Sequence, residues 1–230
     1  MVDRPRTHRA PLADSFGEPE ISASAVVHHG IVWDVVEETF TLPESPRPIT
    51  REFVRHTGAV AVAAVDAADR ILLIRQYRHP VRAREWEIPA GLLDIAGEPP
   101  WRGAARELAE EADLRAETWH VLADQLTSPG GLSESIRIYL ARDVSAVEAT
   151  FEREAEERGI EPAWVGLDTA LAAVLDGRIQ NATCQLAILH AHHARARGWT
   201  DLRPVDAPWP AREVAPGIEQ GTGPGDTPED

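Results

Sequence analysis

The sequence predicts an α+β fold, and three observations carry the prediction. The first half is a succession of short apolar runs with strand character: "VVHHGIVWDVVEETFTL", "REFVRH", "GAVAVAAVD", "RILLIRQYR" and "WEIPAG". A helix-like stretch crowded with carboxylates, "PPWRGAARELAEEADL", stands between these and two further runs, "WHVLADQL" and "SIRIYLARDV". The chain then closes with "AWVGL" and two helical stretches, "DTALAAVLDG" and "NATCQLAILHAHHARARG". Strands interrupted by one helix and followed by two more are the pattern of a mixed sheet covered by helices.

Taken in order, residues 1–22 are polar and punctuated by proline, which predicts a flexible N-terminal tail. Residues 23–55 form a candidate β accessory segment that packs on the body or on a second subunit. The body is expected over residues 56–200. Within it "DAADR", between two apolar runs, reads as a hairpin turn. Pro99 and Pro100 suit the first turn of a helix, where a missing N–H costs little. With Leu108 at the centre of one face, Trp101, Ala104, Ala105 and Ala112 fall within about 60° of it at about 100° per residue, which is the buried stripe. Asp168 is read as the N-cap of the next helix and Gly177 as its stop. From Asp201 to Asp230 the chain is rich in proline, glycine and acids, and is read as a C-terminal tail.

Composition narrows the function. A net charge of −15 argues against nucleic-acid binding and against an anionic membrane surface, because both need clustered cations. An acidic chain still binds phosphates where divalent metals bridge the two. The sequence has no lysine, so all 23 cationic side chains are arginine, which removes Schiff-base chemistry and a Walker-type phosphate loop. A single cysteine, Cys184, excludes an internal disulfide. No run reaches the roughly 18 apolar residues of a membrane span, and no secretory core opens the chain, so a cytoplasmic location is expected.

The carboxylate helix is where chemistry concentrates. Glu107 and Glu111 lie four apart on one face, with Glu110 one step further round. Carboxylates at that spacing repel unless a cation lies between them, and hard divalent cations with oxygen ligands relieve the repulsion. A solvated charged face is the competing reading of "ELAEE" alone. The preceding "WEIPAGLLDIAGE" counts against it, because a strand, a glycine loop and an acidic helix in succession gather backbone carbonyls and carboxylates around one point.

Gly91, Glu98 and, after seven residues, Arg106, Glu107, Leu108, Ala109, Glu110, Glu111, Ala112, Asp113 and Leu114 resemble the box of the Nudix family. Two departures are specific: six residues rather than five separate Gly91 from Glu98, and Asp113 replaces the final glycine. The longer loop precedes the Glu98-to-Arg106 spacing, so the helix register is expected to survive. Asp is also one of the few residues besides glycine that tolerate a left-handed helix end. Pro129, sixteen residues after Asp113, together with "IRQYRHP", "WEIPAG" and "DGRIQNA", is similar to the family's ADP-ribose pyrophosphatases. The likeness spans roughly Ala23 to Gly198.

The resemblance implies an α/β/α sandwich and a Mg²⁺-dependent hydrolase, with Mn²⁺ as a substitute, that cleaves ADP-ribose to AMP and ribose 5-phosphate. It assigns Glu107, Glu110 and Glu111 and the Ala90 carbonyl to the metal. Arg106 orients these carboxylates, and Glu98 has a structural or outer-sphere part. Glu154 or Glu156 supplies the catalytic base, with a solvated acidic loop as the competing reading of that run. Arg78 and Arg51 bind substrate. Trp33 either stacks on adenine or packs in the core or at an interface, Trp86 belongs to the core, and Glu134 lines the pocket or lies on the surface. His190, His192 and His193 are read as solvated or capping residues rather than a metal cluster. The expected partners are a nucleoside diphosphate substrate and a second copy in a homodimer. Two alternatives stay open: hydrolysis of another nucleotide sugar or a dinucleotide, and a non-catalytic nucleotide sensor.

Overall fold

The structure is a computed structural model, and it describes residues 12–17, 19–148 and 159–215. Three antiparallel strands, β1 (Glu20–His29), β2 (Asp34–Thr41) and β3 (Ile49–Arg55), form a separate sheet at the N-terminal side. The body contains two sheets. One, in the order β7-β4-β9-β8, is built from β4 (Ala59–Ala64), β7 (Ala90–Leu92), β8 (Leu114–Leu126) and β9 (Ser135–Ala146). β4 and β9 run parallel and the other pairs antiparallel, which makes this sheet mixed. The second, in the order β10-β5-β6, contains β5 (Arg70–Arg78), β6 (Ala83–Glu87) and β10 (Glu161–Gly166).

The alternation of side chains along β4 shows why helices must cover both faces. All six of its residues are buried. Ala59, Ala61 and Ala63 join Ile138 and Leu140 of β9 in a core against α2 (Leu167–Leu175) and α3 (Ala182–Ala196). Val60, Val62 and Ala64 face the other way with Tyr139, and meet Ala104 and Leu108 of α1 (Pro100–Ala112). Strands apolar on both faces are those buried on both sides. The result is the expected α/β/α arrangement, and the stripe centred on Leu108 is indeed the face that α1 buries.

The helix ends test the sequence reading closely. Pro99 is the N-cap of α1 and Pro100 its first residue, while Asp113 ends the helix at φ 54°, ψ 36°. Asp113 therefore adopts the left-handed conformation for which the family pattern uses glycine. Asp168 is not the N-cap of α2. That position is Gly166, and Asp168 lies in the first turn, where it accepts from His192 Nε2 at 3.0 Å and pairs with Arg195 of α3. His192 is thus part of a tie between the two terminal helices. Gly177, at φ +71°, follows the C-terminal end of α2 as expected.

The C-terminal tail reading needs correction for residues 201–215. The Trp209 side chain is 5% exposed within the α1-side core, and residues 210–214 form a short helix, α4 (Pro210–Val214). Arg137, itself buried on β9, donates to the carbonyls of Ala207 and Pro208, makes a two-bond fork to Asp124, and stacks 4.7 Å from the Trp209 ring. Proline and acid content concealed this, because a segment lacking periodicity can still be held by one large aromatic anchor and a buried guanidinium. No helix among the described residues is long and apolar enough to cross a membrane. Cys184 is fully buried in α3, and burial pushes its thiol up to about 12, so it serves as a core residue.

Candidate active site

The acidic site assembles where the short strand β7 passes α1. Gly91 explains the contact. A Cβ built there would lie 2.0 Å from Glu107 Cδ and 2.1 Å from its Oε1, so only a residue without a side chain lets the carboxylate lie against the strand. The neighbouring Ala90 N–H donates to Glu111 Oε2 at 3.0 Å, which fixes the second carboxylate to the same strand. Glu111 is 7% exposed, deeper than an ordinary surface acid on a helix.

Arg106 sits among three of the acids. Its Nη1 donates to Glu107 Oε1 at 2.6 Å and to Glu110 Oε2 at 3.0 Å, and its Nη2 to Glu98 Oε2 at 3.4 Å. Burial works against the Arg106 cation, but the surrounding carboxylates outweigh it and its pKa is raised. Burial also lifts the Glu107 carboxyl above the usual glutamate range. The Arg106 guanidinium opposes that shift, and the Glu110 and Asp94 charges add to it. Glu98 keeps its place beside this cluster despite the longer loop. Its Oε2 lies 3.0 Å from where a Cβ at Gly103 would stand, so the small residue in the first turns of α1 makes room for it.

This donor set fits a hard divalent cation: carboxylates on one helix, a strand that brings backbone groups alongside, and a raised Glu107 pKa that a bound cation would reverse. Among the described residues no group of three or more His, Cys, Asp or Glu side chains forms a cage that could hold a metal ion by itself. Cations that retain water and take oxygens from a phosphate substrate need no such cage.

The remaining sequence-predicted residues fall into three places. Arg78, at the end of β5, donates from Nε and Nη2 to the two oxygens of Glu87, each at 2.8 Å, and Gln76 donates to the same carboxylate at 3.3 Å. Trp33 and Glu134 come together on a residue the sequence reading missed, His56: the Trp33 ring stacks on the imidazole at 5.4 Å and 28°, and Glu134 Oε1 lies 3.2 Å from His56 Nε2. Arg51 is not brought to either group, since it is exposed on β3 and donates to the Thr50 carbonyl. Glu154 and Glu156 lie outside the described residues. Trp86 packs on the α2/α3-side core, 5.8 Å from the Arg75 guanidinium. Glu87 also escaped the sequence reading, although an acid between Trp86 and Ile88 in a strand was a visible signal, because that alternation turns it toward the interior face of its neighbour β5.

The NUDIX domain model matches residues 54–185, more than half of the chain. The chain belongs to the Nudix family. The ADP-ribose pyrophosphatase of Mycobacterium tuberculosis H37Rv is 41% identical over 196 residues, covering 85% of this chain and 93% of that protein. The ADP-ribose pyrophosphatase of Bacillus subtilis 168 is 34% identical over 171 residues, covering 74% and 91%. The crystal structure of an ADP compounds hydrolase superposes with a TM-score of 0.66 at 21% identity, over 81% of this chain and 99% of that one, a likeness of fold. Hydrolases of the Nudix family depend on divalent metal, and the Nudix match includes Gly91, Arg106, Glu107, Glu110 and Glu111. This Nudix chain is therefore an enzyme of the hydrolase class.

Proposed function

We propose that the chain hydrolyses the diphosphate of ADP-ribose, giving AMP and ribose 5-phosphate. The observation that carries this reading is the coincidence of two things: a Glu107 carboxylate seated in the Gly91 notch beside a pinned Glu111, and 41% identity to an ADP-ribose pyrophosphatase across nearly all of that protein. Mg²⁺, with Mn²⁺ as a substitute, is the expected ion; when bound it neutralises the diphosphate and acidifies a coordinated water.

The chain's own residues do the rest. Glu107, Glu110 and Glu111, with the Ala90 carbonyl, supply the hard oxygens, and Arg106 keeps the carboxylates turned to one side while balancing their charge. Glu154 or Glu156 takes the proton of the attacking water. A P–O bond forms to one phosphorus and the bridging P–O bond breaks, so each product keeps one phosphate. Arg78, with its fork set by Glu87, contacts phosphate or ribose, and Trp33 and Glu134 line the outer part of the site. Arg51 acts from a partner subunit: the N-terminal sheet exposes Ile21 and Val27, and the turn between β1 and β2 exposes Ile31 and Val32, apolar area suited to a homodimer in which that sheet packs across to the second copy. A cytoplasmic location accords with a nucleotide substrate.

The test is turnover of a panel of nucleoside diphosphate compounds with Mg²⁺ or Mn²⁺, read as phosphomonoester release. Glu111→Gln serves as the control. ADP-ribose should be the best substrate and the variant should lose nearly all activity. Absence of metal-dependent turnover of any panel member, or an unimpaired variant, would reject the reading.

A further inference from the structure

We infer that His56 is a positioning residue, whose neutral imidazole with its hydrogen on Nε2 fixes the Glu134 carboxylate and backs the Trp33 ring, so that the two present an acceptor and an aromatic face to the substrate. The inference rests on the proposed hydrolase function and deepens it.

The tautomer follows from the partners. The Gly58 backbone N–H, which can only donate, points at His56 Nδ1 at 3.0 Å, so Nδ1 must carry a lone pair. The ring hydrogen is then on Nε2, where Glu134 Oε1 accepts it at 3.2 Å. Glu134 Oε2 accepts a second bond from Thr127 Oγ1 at 2.6 Å. Each carboxylate oxygen retains a further lone pair for a hydroxyl or amine of the substrate. His56 is 4% exposed, and burial holds its pKa down against the pull of Glu134.

The loop that carries Glu134 is stitched to the same point of the chain. Val54 N–H donates to Gly131 O at 2.9 Å, Ser133 N–H to Val54 O at 3.0 Å, and His56 N–H to Ser133 Oγ at 2.9 Å. On the other side Arg212 Nη1 donates to Thr57 O at 3.0 Å. Gly58 itself is at φ +81°, and a Cβ there would lie 3.0 Å from the same Arg212 nitrogen. Residues 54–58 thus join the N-terminal sheet, the Pro129 loop and the C-terminal segment, and the imidazole at their centre touches both Trp33 and Glu134.

The experiment uses the full chain with ADP-ribose and Mg²⁺. A hydrogen bond to a charged group is worth enough that His56→Phe should raise KM about tenfold while leaving kcat within about threefold. Glu134→Gln should do the same. The double variant should be no worse than the more affected single one, because both remove one link. His56→Gln, whose amide can still donate to Glu134, should recover most of the loss. Losses that add in the double variant, or an unchanged KM in His56→Phe, would overturn the inference while leaving the hydrolase reading intact; no turnover by the wild-type chain would remove both. Should His56→Phe fail to fold, long-range ¹H–¹⁵N spectra of the wild-type protein decide. An Nε2–H tautomer whose resonance moves on Glu134→Gln and on addition of AMP supports the inference, and an Nδ1–H tautomer or an unresponsive resonance rejects it.

Discussion

The carboxylate of Glu107 occupies the volume that a side chain on Gly91 would fill. A glycine in β7 is therefore a requirement of the acid on α1, and the two residues cannot be varied independently.

Gly91→Ala should drive Glu107 out of its notch. Displacing a reacting-site group by about 1 Å is enough to reduce rates by about 100-fold. We expect kcat/KM to fall by at least that much, with only a modest drop in melting temperature, since the new methyl displaces the end of a flexible side chain. Steady-state kinetics and a thermal melt on the same sample check both parts.

The raised pKa of Glu107 makes a pH prediction. Its cause is burial first, opposed by Arg106 and reinforced by Glu110 and Asp94. Between the ordinary glutamate value and the raised folded value, the folded state binds more protons than the unfolded one. Without metal, this group's contribution to stability therefore declines as pH rises through that window. A cation needs the deprotonated form, so stabilisation by added Mg²⁺ should grow over the same interval. Melting curves with and without metal across mildly acidic pH would show the two trends diverging, and Glu107→Gln should abolish the divergence.

Arg78 tests the use of a preset guanidinium. Lysine cannot reproduce the two bonds to Glu87, and the fork cannot hold its plane without that acid. Arg78→Lys and Glu87→Gln should each raise KM for ADP-ribose by about tenfold, with a much smaller change in kcat, because a hydrogen bond to a charged group is at stake. Equal losses in kcat and kcat/KM would instead place Arg78 at the reacting phosphorus.

Trp209 tests the C-terminal anchor. Replacing a buried tryptophan by alanine costs about 3 kcal/mol or more, and here it also uncovers Arg137. Denaturant titration of Trp209→Ala should show that loss. A chain ending at residue 200 should lose at least as much, because Arg137 would also lose the Ala207 and Pro208 carbonyls. An unchanged midpoint in both would mean that residues 201–215 do not anchor the body.

Much of this was legible in the residues themselves. The spacing from Glu98 through Arg106 to Asp113, the proline start of α1 and the apolar runs on both sides of it specify a covered mixed sheet and a carboxylate-bearing helix, because helix periodicity and strand alternation are local properties. Asp113 could likewise be read from its own backbone preference. Other features depend on residues distant in sequence. Glu134 meets His56, on which Trp33 stacks, only when the Pro129 loop is laid against β3; Arg78 is fixed by Glu87 from the adjacent strand; Asp168 gives up capping because α3 offers His192 and Arg195. Trp209 becomes core only because Arg137, 72 positions earlier, presents a planar cation beneath it. The sequence by itself determined which helix carries the acids and how they are spaced. Tertiary structure decided which groups hold them in place, because hydrogen-bond partners and excluded volume are set by elements that meet only after the chain has folded.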